Sequence, residues 1–443
     1  MKARFADRQR AGLFLFLAVY ACLLAGLLPV LSLWLDEILD LIGVRLPRFA
    51  DLLAYIPLNP GASPLGYIPQ FIVVHLLGFS VFWARFPSAV WSVAACAGVF
   101  VLARRMGLRW PLLAVAVFAL FPLQLRYAME ARLYAFALCW SVWSSVAFLR
   151  LVDKPTSPLR IALYGVCVMG GLYTFPFTLF VPAAHLLWAA LTRRSKLLLS
   201  AGLAMTFAGL AFLPWYLHSS QLWKQGIEGG RLHGTVDARA IPMILRELIG
   251  AGYLGTALTL VGVWFGATHV RERLLWILCA IVPVLGAVAA VAGFGYFLAI
   301  RQMIFVLVPL ALLFAAGVET LFNRNPKAGQ ALAAALIIAC VVGNSNFFRR
   351  PRENWQAAAS ILMTEPCVVY SPPTSHDLYE FFFPALATRQ CTRGTSPRVA
   401  LAVSPYRSDD ALAVERRQLQ ESGYVKRGEF NPATPLIEIY VRP

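Results

Sequence analysis

Long apolar runs recur through the first 347 residues, and they constrain the fold more than any other feature of this sequence. Eleven runs of 15–23 residues are separated by short basic or Pro/Gly-rich segments, a pattern that is typical of repeated membrane-spanning helices. Only 14% of the residues are charged, against about a quarter in soluble domains, which excludes an ordinary soluble globular protein. We therefore predict a polytopic α-helical membrane protein with spans at 11–33, 86–103, 111–125, 133–151, 160–174, 176–191, 197–215, 252–268, 274–295, 301–321 and 329–346.

The basic residues between the spans predict which side of the membrane each loop occupies. Short loops rich in Lys and Arg stay in the cytoplasm, and the N-terminus is basic as well. All the basic loops fall on the cytoplasmic side only if the apolar stretch 65–83 does not span. We therefore expect 65–83 to form a helix at the outer membrane surface, within a first outer loop, 35–84. The basic loops are 104–109, 150–160, 193–196, 271–273 and 324–327.

The charge of the chain is divided unevenly between two regions. Of the net charge of +17, residues 1–347 carry +15, and most of that surplus lies in the predicted cytoplasmic loops. It therefore fixes topology and does not indicate a nucleic acid as a partner. Eleven spans from a cytoplasmic N-terminus place residues 348–443 outside, which in a bacterium is the periplasmic side of the inner membrane.

Residues 348–443 have the composition of a small soluble domain. The patterns predict strands at Cys367–Ser371, Arg398–Ser404 and Leu436–Val441 and a helix at Asp409–Gln420. We therefore predict a small C-terminal α/β extracytoplasmic domain after a membrane domain of residues 1–347. An oxidising compartment permits a disulfide between Cys367 and Cys391, but spacing alone leaves that pairing open.

Carboxylates are scarce near the membrane, and two of them are adjacent. Asp36 and Glu37 follow the first span directly, at its predicted outer end. A carboxylate in this position can serve as a general base. The alternative is structural: Asp36 caps the helix that follows, and Glu37 favours its dipole.

A second group of charged residues lies between the spans 111–125 and 133–151. Arg126 and Glu130 are four residues apart and share a face of a helix, as do Glu130 and Tyr134, and Arg132 is adjacent. Two arginines beside one acid on the outer side suggest an anion being held; a structural Arg–Glu pair is the alternative. Arg85 and Arg301 lie at the outer ends of two further spans. For Arg85, the alternative to a functional role is a side chain that snorkels to the membrane interface.

Convergence of these loops would form one outer site with acids to activate a hydroxyl and guanidinium groups to hold a phosphate. The rival class is a transporter or flippase of lipid-linked saccharides, which would place ionisable residues in mid-span, where these spans have almost none. An O-antigen ligase or polymerase and a membrane scaffold are further alternatives. No Walker A, HExxH or GxGxxG motif supports an ATPase, a metallohydrolase or a dinucleotide enzyme.

Five short motifs occur in an order and spacing that resemble a known family. They are WLDEI (34–38), SPLGY (63–67), ARFPS (84–88), RRMG (104–107) and RYAMEARLY (126–134), and a looser ENWQAAA (353–359) follows the last span. Together they resemble the GT-C glycosyltransferases of glycosyltransferase family 39 type, which include protein O-mannosyltransferases and lipid A aminoarabinosyltransferases of bacteria. One departure is Ser63, where relatives often have His or Lys before the Pro-Leu pair.

The resemblance implies an integral membrane glycosyltransferase that takes its sugar from a polyprenyl-phosphate donor, at the periplasmic face of the bacterial inner membrane. Its acceptor would be a hydroxyl or phosphate on a lipid, a glycan or a protein. Matching motif positions implies Asp36 as the catalytic base, assisted by Glu37, and Glu130 near the reacting sugar. Substrate-binding positions implied by the motifs or by location are Arg85, Arg126, Arg132, Tyr67, Tyr134 and Arg301.

The tyrosines also suit a membrane-interface belt, the commoner role of such residues. The resemblance allows a divalent cation in some members. No ligand cluster in this sequence requires one, because Asp36 and Glu130 alone do not fill an octahedral site.

Overall fold

The computed structural model describes residues 2–230, 240–268, 270, 272–295, 298–350, 352–391, 396–405, 407–431 and 435–443. These residues form two compact units. The membrane unit comprises Met1–Leu28 and Pro47–Phe347, and the tail unit comprises Pro29–Leu46 and Phe348–Pro443. The start of the predicted first outer loop is therefore grouped with the C-terminal residues.

Sixteen helices precede the C-terminal region in the described residues. They are α1 (Lys2–Leu27), α2 (Leu35–Val44, in the tail unit), α3 (Phe49–Tyr55), α4 (Ile68–Leu77), α5 (Val81–Arg105), α6 (Pro111–Leu120), α7 (Pro122–Ala128), α8 (Tyr134–Asp153), α9 (Pro158–Leu172), α10 (Phe180–Leu191), α11 (Ser195–Gly230), α12 (Ala240–Glu247), α13 (Gly252–Ala267), α14 (Arg273–Phe294), α15 (Leu307–Arg324) and α16 (Pro326–Arg349). Short 3-10 helices at Pro64–Gly66, Pro176–Leu179 and Ile300–Val306 precede α4, α10 and α15.

The helices confirm a polytopic α-helical membrane protein. Within the described ranges, seven helices are long and apolar enough to cross a membrane, and nine if the bent pairs α6–α7 and α12–α13 each count as one span. The predicted spans 160–174 and 176–191 correspond to the shorter apolar helices Pro158–Leu172 and Pro176–Leu191. The total of eleven spans therefore stays a prediction.

The stretch 65–83 forms a short helix and a turn. Helix α4 has 10 residues, about 15 Å of length, which is half of what a membrane span needs. Pro69 lies in its first turn, and Gly78 ends it with a φ of 82° before α5 begins at Val81. The positive φ explains the glycine, because residues with a Cβ rarely adopt it.

Helices α13 and α15 pack backbone against backbone through glycine. Gly262 and Gly266 are four residues apart on α13 and face Gly317 and the Leu313 carbonyl group of α15. Small residues at this spacing let membrane helices approach closely. Helix α15 follows directly on the turn Ile300–Val306, so this contact helps to fix the turn that carries Arg301.

The tail unit contains a four-stranded sheet of order β1-β2-β4-β3, formed by β1 (Val368–Ser371), β2 (Arg398–Val403), β3 (Val425–Phe430) and β4 (Leu436–Val441). Strands β1 and β2 are parallel and the other pairs are antiparallel. Besides α2, its helices are α17 (Trp355–Leu362), α18 (His376–Glu380) and α19 (Asp409–Glu421). The three predicted strands and the predicted helix are confirmed.

Two features hold this sheet together. Cys367 and Cys391 form a disulfide with a Cα–Cα distance of 5.5 Å, so the pairing left open by the sequence is present. Glu438 on β4 is fully buried and accepts hydrogen bonds from Arg416, Lys426 and Tyr440. Burial alone would raise the pKa of Glu438, but these bonds outweigh burial and the pKa is lowered.

Candidate active site

Helix α2 carries the adjacent acids Asp36 and Glu37 in its first turn. Its N-cap is Trp34, with extended backbone (φ −106°, ψ 171°) and no side-chain cap hydrogen bond. Asp36 is therefore not the N-cap, in contrast to the structural alternative. Both acids lie where the helix dipole favours negative charge. Asp36 is half-buried, whereas Glu37 is completely buried.

Two residues from the other end of the chain contact this first turn. The Arg352 guanidinium donates from Nη2 to Glu37 Oε2 at 3.2 Å. The Leu35 backbone N–H donates to Glu353 Oε2 at 3.0 Å, and the Ser32 hydroxyl donates to the Glu353 carbonyl oxygen at 2.8 Å. Neither Arg352 nor Glu353 was predicted as a site residue, and the sequence signal nearest to them is the ENWQAAA motif, which begins at Glu353.

The segment 126–134 in the membrane unit contains an Arg126–Glu130 ion pair, which is the structural alternative to an anion-binding role. Arg126 Nε donates to Glu130 Oε1 at 3.0 Å; Glu130 is completely buried, and the Arg126 side chain is 33% exposed. Glu130 and Tyr134 do not share one continuous helix, because α7 ends at Ala128 and α8 begins at Tyr134. The intervening backbone turns, with the Arg132 N–H donating to the Glu130 carbonyl oxygen.

Aromatic rings surround the charged groups of this segment. The Arg126 guanidinium lies 5.5 Å from the ring centres of both Tyr127 and Phe347. The Arg132 guanidinium lies 5.6 Å from the Tyr134 ring, which in turn lies 4.7 Å from the Tyr127 ring. Each arginine therefore has an aromatic face against it, an arrangement that orients a guanidinium group.

Arg301 belongs to the same part of the membrane unit. Its positive charge acts on Arg126 and on Tyr127. The rings of Phe305, Phe175 and Tyr134 form a chain, with centroid distances of 6.3 and 5.6 Å, that links the Arg301 turn to α8. We call Arg126, Glu130, Arg132 and Arg301 the arginine cluster. Three cations and one acid leave it with a positive charge suited to a phosphate.

Arg85 and Tyr67 are placed inside the membrane unit. Arg85 is only 1% exposed, and its Nη1 donates to the Leu28 carbonyl oxygen at 2.7 Å, just beyond the end of α1. A cation is favourable there because of the unsatisfied carbonyls at a helix C-terminus. The Tyr67 hydroxyl is buried and accepts a hydrogen bond from Asn59 Nδ2 at 3.1 Å. Substrate contacts of Arg85 and Tyr67 stay predictions.

Among the described residues, one group of possible metal ligands, His376, Asp377 and Glu380 on α18, brings its ligand atoms within 4.8 Å of one another. The candidate catalytic acids Asp36, Glu37 and Glu130 are not members of such a group within those residues. A divalent cation at these acids therefore stays an expectation from the resemblance.

No protein-family model and no curated protein matches this sequence. Solved structures do match. ArnT from Cupriavidus metallidurans superposes with a TM-score of 0.60 in its apo state and 0.58 bound to undecaprenyl phosphate. The identities are 12% and 13%, and each match covers 98% of both chains. The chain has the GT-C fold.

A second match extends the likeness beyond bacteria. The archaeal oligosaccharyltransferase AglB from Archaeoglobus fulgidus, in complex with an inhibitory peptide and a dolichol-phosphate, matches with a TM-score of 0.58 and 11% identity. This match covers 99% of the present chain and 75% of AglB. The GT-C fold predicted from the five motifs is thereby confirmed.

Proposed function

We propose that this protein is an integral membrane glycosyltransferase that moves a sugar from a polyprenyl-phosphate donor to an acceptor hydroxyl or phosphate on a lipid, a glycan or a protein. The observation that carries the proposal is the match over 98% of both chains with ArnT, in a form bound to undecaprenyl phosphate. The arginine cluster supplies guanidinium groups that can bind such a lipid phosphate.

The arginine cluster is assigned to the donor. Arg126, Arg132 and Arg301 hold the phosphate and stabilise its charge as the sugar departs. Glu130 fixes Arg126 through their 3.0 Å hydrogen bond and approaches the reacting sugar. Tyr134, packed against Arg132, together with Tyr67 and Arg85 completes the pocket in this proposal.

Asp36 is assigned as the general base. Its carboxylate takes the proton of the acceptor hydroxyl while the acceptor oxygen forms its bond to the anomeric carbon. The bond from that carbon to the phosphate oxygen breaks on the opposite side, and polyprenyl phosphate leaves. This single displacement inverts the anomeric carbon. Glu37 supports Asp36 from the same helical turn.

The site is proposed to face the periplasm from the bacterial inner membrane. The Cys367–Cys391 disulfide supports this side for the tail unit, because such bonds persist in oxidising compartments and are rare in the cytosol. The distribution of basic loops supports the same orientation.

A flippase of lipid-linked saccharides is the alternative class. It would need ionisable groups along a path through the membrane. Arg126 instead lies in the last turn of α7, Glu130 and Arg132 lie between helices, and Arg301 lies in the 3-10 helix before α15. Charges gathered where helices end favour chemistry at one surface.

The deciding experiment uses the full-length protein in proteoliposomes with a panel of polyprenyl-phosphate sugars labelled in the sugar. We expect label to appear in an acceptor together with an equal amount of sugar-free polyprenyl phosphate. Arg126→Ala should abolish both products. Arg105→Ala is the matched control, because Arg105 also pairs with an acid, Asp153, at the end of α5 outside the site.

Transfer by the Arg105→Ala variant at the wild-type rate, with loss in Arg126→Ala, would support the proposal. Movement of intact labelled donor between the two leaflets, without cleavage of the sugar–phosphate bond, would contradict it and favour a flippase.

A further inference from the structure

Helix α2 begins without a cap of its own. The first N–H groups of a helix have no partner within the helix, and the indole of Trp34 at the N-cap offers no acceptor oxygen. The Leu35 N–H instead donates to Glu353 Oε2 at 3.0 Å, across 318 positions of sequence. The cap of the helix that carries Asp36 is therefore supplied by the segment that follows the last membrane helix.

Glu353 is itself held in place. The indole N–H of Trp355 donates to the same Oε2 atom at 2.8 Å, and the Trp355 side chain is completely buried. Helix α17 starts at Trp355, and Asn354 caps it by accepting from the Ala357 N–H at 3.0 Å. The carboxylate that caps α2 is thus fixed by the start of a second helix.

Glu37, which follows Asp36, is bound by Arg352, which precedes Glu353. Glu37 is completely buried and pairs with Arg352, whose side chain is 14% exposed. The Arg352 guanidinium also lies 5.8 Å from the centre of the Trp34 ring. Residues on both sides of Asp36 are therefore bound to two consecutive residues, Arg352 and Glu353, which we call the α2 clamp.

The end of α2 is fixed to the same unit. Arg45, the C-cap residue, donates from Nη1 to the Phe381 carbonyl oxygen, and its guanidinium lies 4.7 Å from the Phe381 ring centre. The helix is thereby attached at its first turn and at its end to residues of the C-terminal region. Rotation of α2 about its axis would break these contacts.

We propose that Arg352 and Glu353 are positioning residues that set the orientation of Asp36. The inference rests on the proposed function, in which Asp36 is the base. Donor phosphate is assigned to the arginine cluster of the membrane unit, so loss of the clamp should disturb proton removal and leave donor binding intact. This gives the tail unit a part in the chemistry: it holds the helix of the catalytic acid.

The test compares three variants of the full-length protein in proteoliposomes. Glu353→Ala removes the cap, and a misplacement of about 1 Å can cost about 100-fold in rate. We expect kcat to fall roughly 10- to 100-fold, with the donor KM within about twofold of wild type. Glu353→Gln keeps an acceptor oxygen and should retain most of the activity.

Glu365→Ala is the matched control. Glu365 is a buried acid of the same unit that pairs with Arg398, so its loss lowers stability in the tail unit without removing the α2 cap. We expect a lower thermal midpoint and a nearly normal kcat. An equal loss of kcat in Glu365→Ala, or a normal kcat in Glu353→Ala, would overturn the inference.

Hydrogen exchange separates this inference from the proposed function. Amides at the start of α2, from Leu35 to Ile38, should exchange faster in Glu353→Ala than in Glu353→Gln, whether or not a sugar is transferred. If wild-type protein transfers no sugar, the proposed function fails by itself. Unchanged exchange in Glu353→Ala would overturn the clamp by itself.

Discussion

Substitution of Gly317 by Ala tests the packing that supports the Arg301 turn. A Cβ added at Gly317 would overlap the Gly262 carbonyl oxygen and would also lie 3.0 Å from the Gly266 nitrogen. An ordinary carbon–oxygen contact is about 3.3 Å or longer, so α13 and α15 would have to separate. Both atoms belong to the backbone and not to a flexible side chain. We therefore expect the substitution to lower the free energy of unfolding by about 3 kcal/mol, near the upper end for overpacked sites.

Thermal unfolding of the purified protein in detergent measures this effect. We expect Gly317→Ala to lower the midpoint by several degrees and to weaken donor binding, because the Arg301 turn leads into α15. Gly209→Ala is the control: nothing lies within 4 Å of a Cβ at this position on α11. That change should stabilise the helix by about 0.5–1 kcal/mol. Equal midpoints for both variants would refute the packing argument.

Three further changes have defined outcomes. Reduction of Cys367–Cys391, which closes a loop across 24 positions, should lower the unfolding free energy of the tail unit by about 3 kcal/mol; an unchanged thermal midpoint with reductant would contradict this. Glu438→Gln should destabilise the protein at neutral pH. The folded pKa of Glu438 is lowered from 4.5. The wild-type protein should therefore have its full excess in free energy of unfolding over Glu438→Gln above pH 4.5, and this excess should shrink as the pH falls through the folded pKa. An excess that does not change with pH would contradict this prediction. Arg301→Gln should raise the half-saturating donor concentration roughly 10- to 100-fold, the equivalent of one charge-assisted hydrogen bond, and an unchanged value would remove Arg301 from the donor site.

The sequence predicted those parts of the fold whose signal is local. Apolar runs predicted the membrane helices, and short runs rich in apolar and β-branched residues predicted strands β1, β2 and β4. Strand β3 was missed because its sequence, VKRGEF, is polar and mostly exposed at the sheet edge. The bend of 70° between α6 and α7 was missed inside the predicted span 111–125, although Pro122 marks the break.

The candidate site was predictable where its residues are close in sequence. The spacing of Arg126 and Glu130 indicated that their side chains lie close together, and they form an ion pair although Glu130 lies beyond the end of α7 at Ala128. The contact of Glu37 with Arg352 spans 315 positions, and no periodicity or spacing encodes it. The break at 129–133 was also missed, since Met129 to Leu133 contain neither Gly nor Pro.

The central claim is that Asp36 is the base of a sugar transfer from a polyprenyl-phosphate donor. Sugar transfer by Asp36→Asn in proteoliposomes supplied with that donor tests it most directly, because Asn keeps the shape of the side chain and cannot accept the proton. We expect transfer to be abolished while expression and the thermal midpoint stay normal. Undiminished transfer by this variant would contradict the account.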